Sequence, residues 1–534
     1  MGKNKRWNSN GKIRENNMIK FTNKISIFIW AFIYTGQSIF LGLIIVLSIA
    51  SPQNNLFPWQ MAVGTVIGTI LLLCSFYLWD RCWEQRSFSN KHPARNTPLY
   101  GALLILFGVS LYIVSCIGRN SPYSLDDYVQ IWNGASELVE GRELTSVFYF
   151  QTYANNIKPM LFLSVLFRMA DFLHCQDPFY FVLLWSIGQV LAAVWSVCFL
   201  AGNSKEERER YRIPILLLFV CTLPIWANVQ AFYTDSMSFM MGIVTLALLK
   251  AGLETPRKGH AVLMSALAGV SVGMGLSVKV TVLIPLIAGL IVFCFCRIPI
   301  QKWRYLGIFI LFSIGSWGLT DLWAGSFDIW NAAKETCNPT INWIALGLKG
   351  NGSWNDNWDY VTYTISLPSK AEKTEYALQY IRQNYREFWN ISHLVQKLRF
   401  NFASGNFGAA NYTYYAINEH NLLYESFSPW GKYYWRVSQL CFCYIFSIYT
   451  VYLLGAVATL RLLLQKREVP AAKVVADLSL FGIALFLMVW EANNRQLYNQ
   501  IPVIILGAVL NVRLLVSLRR PLFSGHKGSA KQPL

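Results

Sequence analysis

The chain has 534 residues, of which 54% are hydrophobic and 15% aromatic, while only 14% are charged. Its mean hydropathy of +0.35 is too high for a soluble protein of this length, so composition excludes the soluble classes. The net charge of +18 is explained by the membrane topology set out next, and it does not require nucleic acid as a partner.

Apolar stretches recur along the chain, each about 17 to 25 residues long, which is the length of a helix that crosses a hydrocarbon core of about 30 Å. The polar leader 1–24 is followed by an apolar run too long for the core of a signal peptide. We therefore predict an all-α polytopic membrane protein with about twelve spans. These spans are 25–49, 59–79, 99–118, 178–201, 213–231, 235–250, 261–278, 280–297, 303–320, 433–460, 474–490 and 498–516.

Lys and Arg in the short loops predict the orientation, because cytoplasmic loops carry an excess of them. With both termini inside, the cytoplasmic segments hold 29 of the 46 Lys and Arg. The lipid bilayer, with its anionic inner face, is then the partner of the basic residues. This scheme requires the apolar run 157–173 to lie in the outer interface or to re-enter, because a span there would put "KEERERYR" (205–212) outside.

Two outer regions are longer than tight loops, 119–177 and 321–432. Loops of about 15 residues or more are usually functional. The second loop is rich in Trp, Tyr and Asn, as in "NGSWNDNWDYVTY" and "GNFGAANYTYY", and these residues stack on sugar rings and bind hydroxyls; an interfacial aromatic belt is the alternative. The predicted organisation is a basic leader 1–24, two N-terminal helices 25–98, a membrane core 99–320, the outer loop 321–432, C-terminal helices 433–516 and a basic tail 517–534.

Two adjacent acids follow the third span, in "SPYSLDDYVQIWNGASELVEG" (121–141). Ser124 and Asp127 have the spacing of a capping box, so Asp127 is predicted to cap a helix or to support its neighbour. Asp126 has no capping duty, and partial burial would suit it to take a proton from an acceptor hydroxyl. The helix carries an apolar stripe suited to a membrane surface, formed by Val129, Trp132, Ala135 and Val139.

Further polar side chains gather at the same outer surface in this topology. Ionisable groups near membrane depth are costly and tend to mark substrate paths. Lys158, Lys279 and Arg495 are predicted to hold an anionic phosphate together, although each could instead be an interfacial residue that reaches for water. The predicted donor-binding set also includes Tyr498, and the predicted supporting polar residues are Tyr233, Asp235 and Glu491.

Taken together, the motifs resemble the GT-C glycosyltransferases, most closely protein O-mannosyltransferases and aminoarabinose transferases. "DDYVQIWNGA" is similar to their acidic opening, which implies that Asp126 is the catalytic base, with Asp127 beside it. "IKP" is similar to a segment whose lysine contacts the lipid phosphate, which implies that role for Lys158. "WEANNRQLYNQIP" resembles a segment of Gram-positive enzymes, but Gln496 stands where Tyr is usual.

This resemblance covers roughly residues 99 to 516 and implies a GT-C-like bundle with interfacial helices. It also implies an inverting transfer from a polyprenyl-phosphate sugar to a surface glycan or glycopolymer, outside the plasma membrane. No cofactor is predicted, and a divalent metal stays open because two acids alone do not form a hard-cation shell. The alternatives are an envelope polysaccharide polymerase or ligase and, among non-enzymes, a lipid-linked sugar transporter or flippase.

Overall fold

The protein is an all-α polytopic membrane protein. The computed structural model describes residues 18–19, 24–51, 57–89, 96–119, 127–295, 302–410 and 421–523. Within these ranges, ten helices are long and apolar enough to cross a membrane, which confirms the predicted class. Their outward faces expose large apolar side chains such as Phe28, Leu71 and Leu311, as helices that face lipid do. The ten are Ser26–Ala50, Pro58–Gln85, Thr97–Ile117, Pro178–Ala201, Thr234–Glu254, Lys258–Val278, Trp303–Gly325, Tyr434–Leu464, Ala471–Val489 and Asn494–Leu518.

The full helix bounds show how the spans are connected. The helices of the bundle are Lys24–Ala50, Pro58–Ser89, Asn96–Ile117, Pro178–Ala201, Lys205–Cys221, Met241–Glu254, Lys258–Val278, Leu283–Phe295, Trp303–Gly325, Tyr434–Leu464, Ala471–Val489 and Ile501–Phe523. Between them lie the shorter helices Asp127–Glu140, Val147–Thr152, Ile157–Phe172, Pro224–Asn228 and Thr234–Met237. One short antiparallel strand pair joins Met18–Ile19 to Val469–Pro470.

The predicted span 213–231 is broken in the structure. Its helix ends at Cys221, and a new short helix begins at Pro224. Pro224 has no N–H to donate to the Val220 carbonyl four residues earlier, which disfavours continuation of the helix there. The carbonyl of Val220 accepts a hydrogen bond from the Trp226 indole instead, at 3.0 Å. The predicted span 213–231 is therefore divided into two helices, with residues 222–223 between them.

The two segments expected at the membrane surface each pack one face against neighbouring helices. The helix Ile157–Phe172 buries nine of its residues and contacts the helices Asp127–Glu140 and Pro178–Ala201. In the predicted surface stripe, Val129 and Ala135 are buried, and the Trp132 ring stacks on Phe232 at 5.3 Å. The stripe was predicted from periodicity alone, which cannot distinguish a protein partner from lipid.

The described part of the segment 321–432, which was predicted to be an outer loop, forms a small helical unit, called the cap here. Its own core contains Ala345, Leu346, Tyr360, Val361 and Ala377. It contacts the segment that follows the helix Val147–Thr152, for example where the Asn338 amide donates to the Thr152 carbonyl at 2.9 Å. The cap helices are Asp328–Thr336, Ile341–Leu346, Trp358–Ser366, Lys370–Asn384, Ile391–Phe402 and Leu422–Phe427.

Candidate functional site

Three interruptions of membrane helices meet at one place. Residues 238–240 separate the helices Thr234–Met237 and Met241–Glu254, and a 3-10 turn, Val280–Val282, precedes Leu283–Phe295. The third interruption is the 3-10 segment Asn494–Gln500, which follows an extended stretch after Ala471–Val489. Irregular backbone at membrane depth needs polar partners, because no water replaces the lost helical hydrogen bonds.

Amide side chains join these interruptions. The Asn499 side chain donates to the Ser238 hydroxyl at 3.1 Å and to the Thr281 hydroxyl at 2.9 Å. Gln500 donates to the Thr281 carbonyl at 3.1 Å. Buried polar groups that are satisfied in this way fix the relative position of the segments, so the charged residues beside them have a defined geometry.

Asp235 is the buried centre of an ion-pair cluster. Its carboxylate forms an ion pair with the Lys279 ammonium, and the Arg495 guanidinium lies 3.9 Å from its second oxygen. Lys279 ends the helix Lys258–Val278 in an extended conformation, which turns it out of the helix. Burial lowers the pKa of Lys279, and the facing Asp235 carboxylate opposes that shift. Two of the three predicted phosphate ligands therefore meet at one carboxylate.

Arg495 connects this cluster to the first residue of the helix Asp127–Glu140. Its guanidinium donates to the Asp127 carboxylate at 3.2 Å and lies over the Tyr233 ring, 4.5 Å from the ring centre. The Tyr233 hydroxyl donates to the same Asp127 oxygen at 2.9 Å, and Tyr149 donates to the other oxygen at 2.8 Å. Asp127 is thus held by three donors across the site, beyond any role at the helix terminus. The site cluster is defined as Asp127, Tyr149, Tyr233, Asp235, Lys279 and Arg495.

Glu491 adds a second kind of carboxyl group to this region. It is buried, and it lies on the extended stretch between the helix Ala471–Val489 and Asn494. Burial raises the pKa of Glu491 to about 7, while the charge of Arg495 acts in the opposite direction. A carboxyl group with such a pKa can both accept and release a proton near neutral pH.

Three aromatic side chains form what is called the aromatic wall here: Tyr153, which follows the helix Val147–Thr152, and Trp343 and Trp354 of the cap. The Tyr153 ring centre lies 6.4 Å from that of Trp343 and 5.9 Å from that of Trp354. Burial, then the charges of Asp127 and Glu491, raise the pKa of the Tyr153 phenol. The Tyr153 ring centre lies 5.2 Å from that of Tyr149, which donates to Asp127. All three rings are half-buried. The cap therefore presents flat apolar faces next to the charged groups.

Lys158 has a different carboxylate partner from the other predicted phosphate ligands. Its ammonium forms an ion pair with Asp321 at the end of the helix Trp303–Gly325, and it lies 5.1 Å from the centre of the Trp330 ring. The structure thus pairs Lys158 with one carboxylate and pairs Lys279 and Arg495 with others. The joint phosphate site of all three cations stays a prediction.

The remaining predicted residues have different placements. Tyr498 is buried and packs its ring against Phe239, with the centres 5.0 Å apart. Asp126, the predicted base, lies outside the described residues. Among the residues that the structure describes, no three His, Cys, Asp or Glu side chains form a group that could hold a metal ion.

Sequence reasoning missed three groups that belong to this region. Tyr149 holds Asp127, and its hydroxyl accepts a hydrogen bond from the Asn156 amide at 2.6 Å. Asp321 holds Lys158, and Lys397 of the cap lies against the end of the helix Ala471–Val489. Only Asp321 had a sequence signal, as an acid at the end of an apolar run. No known family model, curated protein or solved structure matches this chain.

Proposed function

We propose that the chain is an integral-membrane glycosyltransferase of GT-C type. It moves a sugar from a polyprenyl-phosphate donor to an acceptor glycan or glycopolymer on the outer face of the plasma membrane. The observation that carries the proposal is the site cluster, in which two carboxylates and two cations meet where three membrane helices are interrupted. Charged groups at membrane depth mark a functional site by default, because each is costly to keep there.

The cations suit a departing phosphate. Arg495 and Lys279 are largely buried and face carboxylates, so they can exchange a carboxylate oxygen for a phosphate oxygen with little further desolvation. A guanidinium can bind two phosphate oxygens at once, whereas the ammonium acts as a point charge. Lys158, on its own carboxylate, would form a separate contact with the donor.

The proposed reaction forms one bond and breaks another. The acceptor hydroxyl oxygen bonds to the anomeric carbon while the bond from that carbon to the phosphate oxygen breaks. The hydroxyl proton passes to Asp126, and the electron pair leaves with the polyprenyl phosphate, whose charge Arg495 and Lys279 stabilise. Attack opposite the leaving group inverts the anomeric centre.

The aromatic wall supports a sugar acceptor in particular. Binding sites for uncharged ligands combine flat apolar faces with a few placed polar groups. Tyr153, Trp343 and Trp354 provide the faces. The Tyr153 ring packs beside Tyr149, which donates to Asp127. In this arrangement the rings would hold the acceptor while its hydroxyl points at the acids.

The test compares the two adjacent acids. Asp126→Asn keeps size and polarity but cannot accept the proton, so transfer should fall on the order of 100-fold or more. Asp127→Asn keeps an oxygen for one tyrosine and loses the charge that faces Arg495, so the loss should be much smaller, about 10-fold. The measurement is the transfer rate of purified variants with a synthetic polyprenyl-phosphate sugar and cell-wall glycan.

Asp177→Asn is the matched control. Asp177 also begins a helix and accepts a hydrogen bond from the Phe179 amide, but its ion pair is with Arg119, outside the site cluster. Asn caps helices as well as Asp does, so this variant should keep the parental rate. Near-parental transfer by both Asp126→Asn and Asp127→Asn would refute the proposed mechanism.

A further inference from the structure

A buried lysine of the cap donates hydrogen bonds to two separate segments of the chain. Lys397, in the middle of the helix Ile391–Phe402, has no exposed surface. Its ammonium donates to the carbonyls of Gly347 at 2.8 Å, Met488 at 2.9 Å and Trp490 at 2.7 Å. An ammonium has three N–H groups, so these three acceptors satisfy it completely.

The three carbonyls belong to two segments that are distant in sequence. Gly347 begins the cap loop 347–353, whereas Met488 and Trp490 lie at the end of the helix Ala471–Val489. The last carbonyls of a helix have no partner within it and carry its partial negative charge, so a cation is stabilised there. Lys397 thus ties the cap loop to the end of a membrane helix.

Two glycines of the loop 347–353 leave room for the Lys397 side chain. A Cβ atom on Gly347 would lie 2.6 Å from the Trp490 carbonyl oxygen and 2.9 Å from the Lys397 nitrogen. Gly352 has a φ of +78°, and a Cβ atom there would lie 2.8 Å from Lys397 Cε. One turn earlier on the same helix, the His393 ring nitrogens lie 2.8 Å and 3.1 Å from the carbonyls of Gly350 and Gly347.

These contacts flank Glu491 on both sides. The preceding residue, Trp490, is held through its carbonyl by Lys397. The following residue, Ala492, is held through its amide, which donates to the Gly352 carbonyl at 2.8 Å. The backbone position of Glu491, and the direction in which the chain continues to Arg495, therefore depend on the loop 347–353 staying in place.

We propose that Lys397 is a positioning residue, whose ammonium locks the loop 347–353 to residues 488–492 and so holds Glu491 and Arg495 at the site. The lock itself is a property of the fold. Its effect on catalysis rests on the proposed transferase function, and the two parts are tested separately.

The first test measures the lock without any substrate. Ser353 is only 4% exposed, so Ser353→Cys provides a thiol that the closed loop protects. Purified protein is treated with a thiol reagent, and modification of residue 353 is measured by peptide mass spectrometry. Lys397→Met removes the three hydrogen bonds and should raise the labelling rate several-fold. Gly347→Ala should do the same with Lys397 still present, which covers the case in which Lys397→Met fails to fold.

Lys373→Met is the matched control for general loosening of the cap. Lys373 is also a buried cap lysine, and it donates to the Thr336 carbonyl at 2.6 Å. Among the described residues, no hydrogen bond joins Lys373 to the loop 347–353. Its labelling rate at residue 353 should equal the parental rate. Unchanged labelling in both Lys397→Met and Gly347→Ala, or an equal rise in Lys373→Met, would overturn the lock.

The second test asks whether Lys397 acts through Glu491. Transfer rates are measured for Lys397→Met, Glu491→Gln and the double variant. If Lys397 works by placing Glu491, its replacement should cost less in the Glu491→Gln background, by about threefold or more. Additive losses would assign Lys397 a purely structural role. A parent protein without transfer activity would count against the proposed function, while the labelling result would still decide the lock.

Discussion

Two clusters of buried charged side chains in this protein are built differently. The first, called the closed cluster, joins three membrane helices: Lys473 and Asp477 pair within Ala471–Val489, while Tyr34 and Asn511 donate to Asp477 at 3.0 Å and 2.9 Å. Both charged side chains are only 1% exposed. In the site cluster, by contrast, the Asp127 and Arg495 side chains are 30% and 17% exposed.

The difference separates charges that hold helices together from charges that can meet a ligand. The closed cluster lies on regular helices, and the Asp477 carboxylate meets three donors, from Lys473, Tyr34 and Asn511. The site cluster lies on interrupted helices and borders the aromatic wall of the cap. Burial of charge alone therefore does not identify a functional site in this membrane protein; partial exposure and irregular backbone do.

The largest expected effect is on stability, in the closed cluster. Asp477→Asn leaves the Lys473 ammonium buried without a counter-charge, which should cost about 3–5 kcal/mol of unfolding free energy. Transfer per folded molecule should stay near the parental rate, because the closed cluster shares no residue with the site cluster. Chemical unfolding in detergent, with the transfer rate normalised to folded protein, measures both quantities.

The double variant Lys473→Met with Asp477→Asn sharpens this prediction. It removes both charges and keeps an amide oxygen for Asn511, while the new amide NH2 can donate to the Tyr34 hydroxyl, so most of the lost stability should return. If the double variant were as unstable as the single one, the loss would come from shape and not from the uncompensated charge. Loss of transfer without loss of stability would instead make the closed cluster functional.

The second prediction concerns the site cluster, where we expect a large effect on transfer and a small effect on stability. Arg495→Met should lower transfer on the order of 100-fold, the scale of losing one donor to a developing negative charge. Its effect on stability should be smaller, because Lys279 still faces Asp235 and the tyrosines still hold Asp127.

The matched control is Arg513→Met. Arg513 lies in the helix Ile501–Phe523, where it pairs with Glu207 at 3.5 Å, and its loss should leave the transfer rate within a few-fold of the parent. Equal losses of transfer in both variants would show that Arg495 acts through the fold.

Much of the fold could be predicted from the sequence, because a membrane span must be apolar over its whole length. The prediction was wrong for 213–231, where one proline and the indole of Trp226 break the helix. The helix Ile157–Phe172, predicted to be interfacial or re-entrant, buries nine of its residues against protein, and its position in the membrane stays a prediction. An amphipathic pattern shows which face is apolar, but it does not show what covers that face.

The candidate site was found in part because ionisable residues beside apolar runs are rare. Tyr233, Asp235, Lys279 and Arg495 were singled out in this way, and the structure brings them together. Their pairing could not be predicted, because partners such as Lys158 and Asp321 lie 163 residues apart. Tyr149 was overlooked because aromatic residues are common at membrane interfaces, where they need no partner.

The smallest expected effect concerns pH and Glu491. Burial raises the pKa of Glu491 to about 7 in the folded protein, while the unfolded chain loses this proton near its ordinary value of 4.5. Between these two values the folded state holds more protons, so its stability should fall as the pH rises through this window.

Melting temperatures measured from pH 5 to pH 8 should decrease by a few degrees in the parent and change less in Glu491→Gln. The difference between the two curves isolates Glu491 from the six histidines, which titrate in both proteins. Parallel curves would mean that Glu491 is ionised throughout this range, and it would then belong with the ion-paired acids of the site cluster rather than with groups that exchange a proton near neutral pH.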